Sequence, residues 1–376
     1  MLWPAIILFA VATIISALGV LLAKRIAARA GLMDAPGHRK VHTVSTPRNG
    51  GIGIFLGFAL PVAAGVAAVS FIGPADIKMF GDTAVAFVAK HQSGMIEQRG
   101  LAVLFLLCTL AIHIVGLADD RKAMDAWPKL LLQVGVAGLL VAGGEWLERG
   151  GFRVLTMLGD FPSGGFWLSA LLSVLWIVAL TNAFNFLDNM DGLSAGVAFI
   201  AAGMFLVAAA HNQQWFICAL LIAFMGAVLG FLFFNFPPAS IFMGDSGSMV
   251  LGFVLSALTI RTTFYEGAGS AWYAVLMPLF VMAVPLYDLV IVTVLRLARG
   301  RSPMQGDTNH FSHRLTRHGF SKRSAVLIIY GVTLATGVTA PLLARVDDVG
   351  AVLLAGQLLG MLTVIGVLER VGDHVK

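Results

Sequence analysis

The chain has 376 residues, of which 58% are hydrophobic and only 12% are charged. Because soluble domains carry about 25% charged residues, this composition excludes a soluble globular enzyme, a disordered chain and a disulfide scaffold. The net charge of +5 comes from cations grouped between apolar blocks, which favours membrane topology and anionic substrates over nucleic acid. Two cysteines, Cys108 and Cys218, lie inside apolar blocks and are too few for a disulfide framework.

Eleven apolar blocks are long enough, at roughly 20 residues each, to cross a bilayer as an α-helix. They cover residues 2–23, 50–73, 99–118, 128–147, 165–186, 193–210, 214–234, 248–264, 272–295, 324–344 and 349–368. The sequence therefore predicts an all-α polytopic integral membrane protein with about eleven transmembrane helices. No soluble domain fits between the blocks, so we expect one membrane-embedded domain over residues 1–376.

The orientation follows from the distribution of cations. The first block is apolar from its start, and Lys24, Arg25 and Arg29 follow it, which indicates a retained span that begins outside the membrane rather than a cleaved signal peptide. Most of the 25 Lys and Arg residues then fall on the inner side, as the positive-inside rule requires. This places the C-terminus inside. The longest outer segment, 74–98, is either a short interfacial helix or a plain loop.

The first informative inner cluster combines two adjacent carboxylates with a lysine. Asp119 and Asp120 end the third block, and Lys129 begins the fourth. Adjacent carboxylates at a membrane surface are costly unless a cation or a proton offsets them, and they suit metal binding or proton abstraction. A solvated loop balanced by Arg121 and Lys122 explains this pair equally well.

The second cluster follows the fifth block, where polar residues recur every third position. Asn182, Asn185, Asp188 and Asp191 share one face if the segment is helical. Their oxygens suit a hard cation, and their amides suit the edge of a nucleobase. A helix cap would use one such residue, not four, so the pattern indicates a functional site. Gly192 then allows a tight turn.

A third cluster surrounds Asp245, in a Gly-Asp-x-Gly-Ser segment that opens the eighth block. A helix N-terminus carries partial positive charge and free N–H groups. We therefore expect Asp245 to hold a metal while the backbone N–H groups bind phosphate, although a simple N-cap is the alternative. Asp288, a carboxylate inside a block, is either functional or paired across the bundle.

The long inner loop, residues 296–323, carries the last cluster. His310, either His313 or Arg314, and Arg317 can share a helical face there. Arginine binds phosphate through a planar fork, and histidine donates to anions or exchanges protons with them. The arginine excess alone is also typical of an ordinary positive-inside loop.

Five motifs in order carry a resemblance that spans nearly the whole chain. They are K-x-H-x-x-x-T-P-x-x-G-G at 40–51, D-D-x(8)-K at 119–129, N-x-x-N-x-x-D-x-x-D-G-L at 182–193, G-D-x-G-S at 244–248 and D-x-x-H-x-x-H-R-L at 307–315. The chain resembles the polyprenyl-phosphate N-acetylhexosamine 1-phosphate transferases, and most closely the bacterial undecaprenyl-phosphate GlcNAc-1-phosphate transferases of glycosyltransferase family 4.

The resemblance implies a reaction. Such enzymes transfer a sugar 1-phosphate, here most plausibly GlcNAc 1-phosphate, from a UDP-sugar to undecaprenyl phosphate and release UMP. Mg²⁺ is the implied cofactor, with Mn²⁺ as an alternative. Asp245 would be the principal metal ligand and Asn185 a second one. Asp119 and Asp120 would position or deprotonate the lipid phosphate, and which of them is the base stays open.

The resemblance also implies roles for residues around the metal. Asp188 joins the three other aspartates as a catalytic residue. The implied substrate-binding residues are Lys129, Asn182, Asp191, Phe242, His310, His313 and Arg314. Of these, Asp191 and Phe242 would contact the uracil, Phe242 by stacking, and the histidines and arginine would bind pyrophosphate.

Two positions depart from the family pattern. Asn189 stands where a glycine is common in D-G-x-D-G-L, and Ser312 stands where the loop motif H-x-H-H has a histidine. Because asparagine tolerates left-handed backbone, we expect the turn at 189 to form. Any role that needs three histidines is in doubt.

The predicted setting is the bacterial cytoplasmic (inner) membrane, with the active site on the cytoplasmic face. The lipid bilayer, the two substrates and a second copy of the chain in a homodimer are the expected partners, and nucleic acid is not one of them. Alternatives are a transferase for another UDP-sugar such as UDP-MurNAc-pentapeptide, a transporter or lipid flippase, and an inactive scaffold. A transporter would place its key polar residues near the midplane.

Overall fold

A computed structural model describes residues 2–34, 45–73, 75–148, 151–155, 165–262, 272–302 and 310–371. These residues are mostly helical, which confirms the predicted all-α class. One small exception is a two-residue antiparallel ladder of β1 (Met33–Asp34) with β2 (Thr46–Pro47), in which Met33 pairs with Pro47.

The described residues form fourteen α-helices. They are α1 (Leu2–Ala30), α2 (Gly51–Phe71), α3 (Asp82–Glu97), α4 (Arg99–Arg121), α5 (Ala126–Leu147), α6 (Gly165–Leu187), α7 (Leu193–His211), α8 (Trp215–Asn235), α9 (Asp245–Arg261), α10 (Met277–Val281), α11 (Ala283–Ala298), α12 (Phe311–Arg317), α13 (Lys322–Gly337) and α14 (Asp348–Val371). In the part of the chain that the structure describes, short 3₁₀ segments lie at Lys78–Phe80, Trp272–Leu276 and Ala340–Ala344.

Within the described ranges, nine helices are long and apolar enough to cross a membrane, and a bent pair raises the number to ten. The chain is therefore a multi-pass membrane protein, while the count of eleven and the orientation of the termini stay predictions. The block 248–264 forms α9, whose 17 residues span only about 26 Å. The segment 74–98 contains the helix α3, so a plain loop was the wrong alternative.

The bent pair replaces the span predicted over 272–295. Its two parts, Tyr273–Val281 and Ala283–Ala298, meet at an angle of 71°. Pro285 has no backbone N–H to donate to the carbonyl of Val281, and the loss of this helical hydrogen bond favours a break at this point. Hydropathy identifies the apolar block but does not reveal the break.

Helix α9 lies in the interior of the bundle. Every residue from Ser246 to Thr259 is buried, and α9 packs against α2, α4, α6, α7 and α8. A helix surrounded by protein must have its N-terminal N–H groups satisfied by protein as well. The start of α9 is consequently the place where several loops and helix ends converge.

Helix α1 approaches α2 and α8 closely because small residues line both contacts. On α2, Gly53 and Gly57 face α1, and on α8, Gly226 and Gly230 do the same. Each pair forms the Gly-x-x-x-Gly spacing that lets two membrane helices come close. Ser16 adds a hydrogen bond from its hydroxyl to the carbonyl of Ala227 at 2.6 Å.

A substitution at this contact tests the packing. A Cβ atom at position 230 would lie 2.4 Å from the backbone oxygen of Thr13, so we expect Gly230→Ala to cost about 1–3 kcal/mol by overpacking. The midpoint of thermal unfolding in detergent measures this loss. Gly138→Ala is the matched control, because nothing lies within 4 Å of its added Cβ. Equal midpoints for the two variants would contradict the packing argument.

Candidate active site

The polar clusters meet at one end of the bundle. Contacts join the end of α4 to the start of α9, the start of α5 to α9, and the end of α6 to both α5 and α9. The sequence prediction that these segments form one site is consistent with this geometry. The residues 35–44 and 303–309, which include Lys40, His42 and Asp307, lie outside the described residues.

Asp120 binds the first turn of α9. Its Oδ1 accepts the backbone N–H of Asp245 at 2.8 Å, and its Oδ2 accepts that of Ser246 at 3.0 Å. Asp120 is only 3% exposed. A carboxylate at a helix N-terminus is favoured by the free N–H groups and by the helix dipole. Asp120 therefore serves as a cap contributed by another helix.

The expected phosphate site at the backbone of this turn is wrong. The N–H groups of Asp245 and Ser246 are used by Asp120, and those of Gly247 and Ser248 bond to the carbonyl of Gly244. None of the four first N–H groups of α9 is left for a phosphate.

Gly244 is required by both its backbone and its surroundings. Its φ of 71° lies in the left-handed region. A Cβ atom there would also lie 2.5 Å from the Oδ2 of Asp120. Only glycine lets the carboxylate of Asp120 approach this turn.

Asp245, Lys129 and Asp119 form the accessible part of the site. The Nζ of Lys129 contacts the Oδ2 of Asp245 directly and lies 3.9 Å from the Oδ2 of Asp119. The side chains of Asp119 and Asp245 are 17% and 25% exposed. The Oδ1 of Asp119 accepts the N–H of Met124 at 2.9 Å, which leaves its Oδ2 facing the lysine. Of the two adjacent carboxylates, Asp119 is thus the one that a substrate can reach.

The two asparagines at the end of α6 point to different neighbours. Asn182 donates to the Oε1 of Gln133 at 2.6 Å and is tied to α5. Asn185 donates through Nδ2 to the hydroxyl of Ser248 at 2.9 Å, which leaves its Oδ1 as the atom available to a metal. The sequence pattern placed both on one site face, and the structure gives them different hydrogen-bond partners.

Asp188 follows α6 and lies among other carboxylates. It retains some exposed surface, yet burial raises the pKa of Asp188 well above its usual range. Three nearby negative charges add to this shift, in decreasing order those of Asp245, Asp120 and Asp191. The site therefore carries excess negative charge near Asp188.

The donors suit a Mg²⁺ ion that is shared with a substrate. In the part of the chain that the structure describes, no three His, Cys, Asp or Glu side chains meet in a metal-binding arrangement. Mg²⁺ is usually bound by one or two carboxylates together with waters and substrate phosphates. Asp245 and the Oδ1 of Asn185 fit that mode, and the surplus of carboxylates favours a cation.

Phe242 lies in the loop between α8 and α9, and Asp191 contacts the same loop. Asp191 accepts the N–H of Ala239 at 3.0 Å, and the backbone of Phe242 bonds to that of Pro47 at 2.7 Å and of Gly50 at 2.9 Å. Gly192 adopts the predicted left-handed turn, with φ of 75°. Both residues implied for uracil are therefore held at this loop.

A second cluster surrounds the histidines. The Nδ1 of His310 lies 2.8 Å from the Oδ2 of Asp288, whose Oδ1 accepts the N–H of Phe311 at 2.7 Å. Asp288 is fully buried, so the alternative that it pairs across the bundle is confirmed. The ring of His313 lies 6.3 Å from that of His310. Burial, followed by the charge of His310, lowers the pKa of His313. Arg314 is buried beside them.

Several contacts were not found by sequence reasoning. Arg48 donates to the backbone oxygen of Asp120, and His113 donates from Nδ1 to the carbonyl of Ser246 at 2.9 Å. Ser312 donates to Asn189. These contacts join segments that are far apart in the chain. Of the residues involved, only Arg48, by its charge, and His113, by its place inside an apolar block, are unusual enough to be noticed in the sequence.

Comparison with known proteins places this site in a family. The sequence model of glycosyl transferase family 4 matches residues 102–263, which include the carboxylate motifs. A probable undecaprenyl-phosphate N-acetylglucosaminyl 1-phosphate transferase of Bacillus subtilis (strain 168) is 34% identical over 334 residues, 88% of this chain and 83% of that protein.

Two further relatives agree. A decaprenyl-phosphate N-acetylglucosaminephosphotransferase of Mycobacterium tuberculosis (strain ATCC 25618 / H37Rv) is 33% identical over 93% of this chain and 86% of its own length. An undecaprenyl-phosphate alpha-N-acetylglucosaminyl 1-phosphate transferase of Escherichia coli (strain K12) is 29% identical over 85% and 77%. With these matches along most of its length, the chain belongs to glycosyl transferase family 4, among the polyprenyl-phosphate N-acetylglucosamine 1-phosphate transferases.

Proposed function

We propose that the protein transfers GlcNAc 1-phosphate from UDP-GlcNAc to a polyprenyl phosphate, undecaprenyl phosphate being the expected lipid, and releases UMP. The observation that carries this proposal is the meeting of Asp119, Lys129 and Asp245 at the ends of three membrane helices. Phosphoryl transfer mainly needs charge neutralisation and placement of the reacting oxygens. The relatives are named for transfer to undecaprenyl or decaprenyl phosphate.

The bond changes follow from the substrates. An oxygen of the lipid phosphate forms a bond to the β-phosphorus of UDP-GlcNAc, and the bond from that phosphorus to the oxygen bridging to the α-phosphate breaks. UMP leaves with that oxygen, and the lipid carries a diphosphate-linked sugar. Asp119 is the base we favour, because its Oδ2 faces the accessible side while both oxygens of Asp120 are bonded to α9.

Cations would offset the charge of the phosphates. Lys129 can reach a phosphate oxygen from the position where it now contacts Asp245. Asp245 and Asn185 would hold Mg²⁺, which supplies further neutralisation of the pyrophosphate when bound. Asp188, close to Asp245 and Asp120, would contribute to the same arrangement of charges. His313 and Arg314 would bind the pyrophosphate and the sugar, and Asp191 and Phe242 the uracil.

The cytoplasmic face of the inner membrane is the proposed location of the site. Lys and Arg are concentrated at the end of the bundle that carries the carboxylates, as expected for the inner side. UDP-sugars are soluble and would reach the site from that side. The broken α10–α11 pair is a feature that transporters also have. In a transporter, however, the key polar groups lie near the midplane of the membrane, whereas the carboxylates of this protein lie at helix ends.

The experiment that tests the reaction measures UMP release by purified protein given undecaprenyl phosphate, Mg²⁺ and a panel of UDP-sugars. We expect metal-dependent UMP with UDP-GlcNAc and none with UDP-MurNAc-pentapeptide. UMP with a different sugar would change the donor, and no UMP from any sugar with folded protein would overturn the reaction.

Asp245→Asn should abolish turnover while the fold is kept. The change preserves the shape of the side chain and removes the negative charge that faces Lys129. The metal and the lysine then both lack the carboxylate that they would bind. UMP release and thermal unfolding are measured together. Asp125→Asn is the matched control, because Asp125 is exposed on the same side and makes no cap hydrogen bond. Unchanged turnover in Asp245→Asn would sink the metal assignment.

Asp119→Asn and Asp120→Asn should fail for different reasons. In Asp120→Asn an amide NH₂ faces a backbone N–H of α9, and the unpaired donors should cost about 1–3 kcal/mol of stability. Asp119→Asn should keep the unfolding midpoint and lose turnover. A stable but inactive Asp120→Asn, beside an active Asp119→Asn, would instead assign the base to Asp120.

A further inference from the structure

The two positions that depart from the family pattern touch each other. The hydroxyl of Ser312 donates to the Oδ1 of Asn189, although 123 positions separate them in the chain. The Nδ2 of the same amide donates to the carbonyl of Phe186 at 2.8 Å. Both ends of the Asn189 side chain are therefore bonded, one to the end of α6 and one to α12.

The backbone at position 189 does not explain the asparagine. The expected turn forms over 189–192, but among the non-glycine residues described only Leu155 and Gln213 have positive φ, so Asn189 does not use the left-handed backbone that asparagine tolerates. Ser312 is fully buried, and a buried hydroxyl is costly unless it is bonded. The contact between the two side chains accounts for both residues.

The contact joins two parts of the site. Asn189 lies in the loop 188–192, which carries Asp188 and Asp191, and Ser312 lies in the first turn of α12, directly before His313. The far end of the loop is held independently, since Gly192 donates to the Oδ1 of Asn235 at 2.8 Å and accepts from Tyr330.

The start of α12 is held from the opposite side. Asp288 binds His310 and the N–H of Phe311, and the ring of His310 meets the edge of Phe186 at 5.9 Å between centroids. The segment 186–189 thus touches the start of α12 through Phe186 and through Asn189. Of these two contacts, the hydrogen bond to Asn189 is the directional one.

We propose that Asn189 and Ser312 are a positioning pair that fixes α12 relative to the loop 188–192 and thereby sets how tightly the UDP-sugar is held. Neither side chain needs to touch the substrate. The pair keeps His313 and Arg314 at a fixed distance from the aspartates, in place of a further histidine. This proposal rests on the proposed function, because it concerns the donor of that reaction.

A double-mutant cycle tests the pair. The variants are Asn189→Ala, Ser312→Ala and the double variant, and the measurements are KM and kcat for UDP-GlcNAc, KM for undecaprenyl phosphate and the unfolding midpoint. We expect each single variant to raise KM for UDP-GlcNAc about three- to tenfold, the value of one hydrogen bond. The KM of the double variant should not exceed that of the more impaired single variant, since the two single substitutions remove the same contact.

Controls separate positioning from general damage. Ser312→Thr keeps the hydroxyl and should restore both KM for UDP-GlcNAc and the unfolding midpoint toward their original values, while KM for the lipid should not move in any variant. Multiplying effects in the double variant would overturn the proposal. So would equal increases of KM for both substrates together with a lower midpoint, because that result indicates a purely structural role.

The binding of UDP-GlcNAc, measured by calorimetry without lipid, keeps this test independent of turnover. A chain that binds the nucleotide sugar but releases no UMP contradicts the proposed reaction, and the cycle can still be read from Kd. A chain that turns over normally, with unchanged KM and Kd in every variant, contradicts the positioning pair alone.

Discussion

The two hydrogen bonds from Asp120 to the first turn of α9 are the interaction on which the site depends. Helix α9 is buried along almost its whole length, so its free N–H groups cannot be satisfied by water, and unsatisfied N–H groups in such surroundings are costly. Asp120 supplies an acceptor for two of them and its charge complements the helix dipole. This bond fixes the position of Asp245, the first residue of α9.

Other groups converge on the same turn and depend on its position. Gly50 and Gly51 donate their N–H groups to the carbonyls of Phe242 and Met243 at 2.9 Å. Asn185 reaches Ser248, and Lys129 reaches Asp245. Because these partners come from α2, α5, α6 and α9, a shift of the turn would move the metal ligands and the phosphate-binding lysine together.

The carboxylates share one end of the bundle but are compensated differently. Asp120 is stabilised by hydrogen bonds from backbone N–H groups, and Asp119 and Asp245 share Lys129. Asp188 lies near the charges of Asp245, Asp120 and Asp191, and burial together with these charges raises its pKa. Such a distribution fits a site that awaits a cation, since two of the four carboxyl groups share one lysine.

Sequence reasoning could predict the helices and the location of the site, because long apolar blocks and clustered polar residues are local features. It could not decide between Asp119 and Asp120, which are adjacent and therefore about 100° apart on α4. Which of them faces α9 is set by tertiary packing. The same limit applies to Asn182, whose partner Gln133 lies on another helix.

The loops of this site are held by side chains from several helices rather than by their own secondary structure. The loop 188–192 is fixed by Asn235, Tyr330 and the backbone of Ala239. In phosphoryl transfer the protein forms no covalent bond to the substrate, and its contribution lies in placing charges and oxygens. A displacement of about 1 Å is costly for such a reaction. Hydrogen bonds between loops and remote helices thus matter to catalysis as much as the groups that touch the substrates, which explains why so many buried polar residues gather at one end of an otherwise apolar bundle.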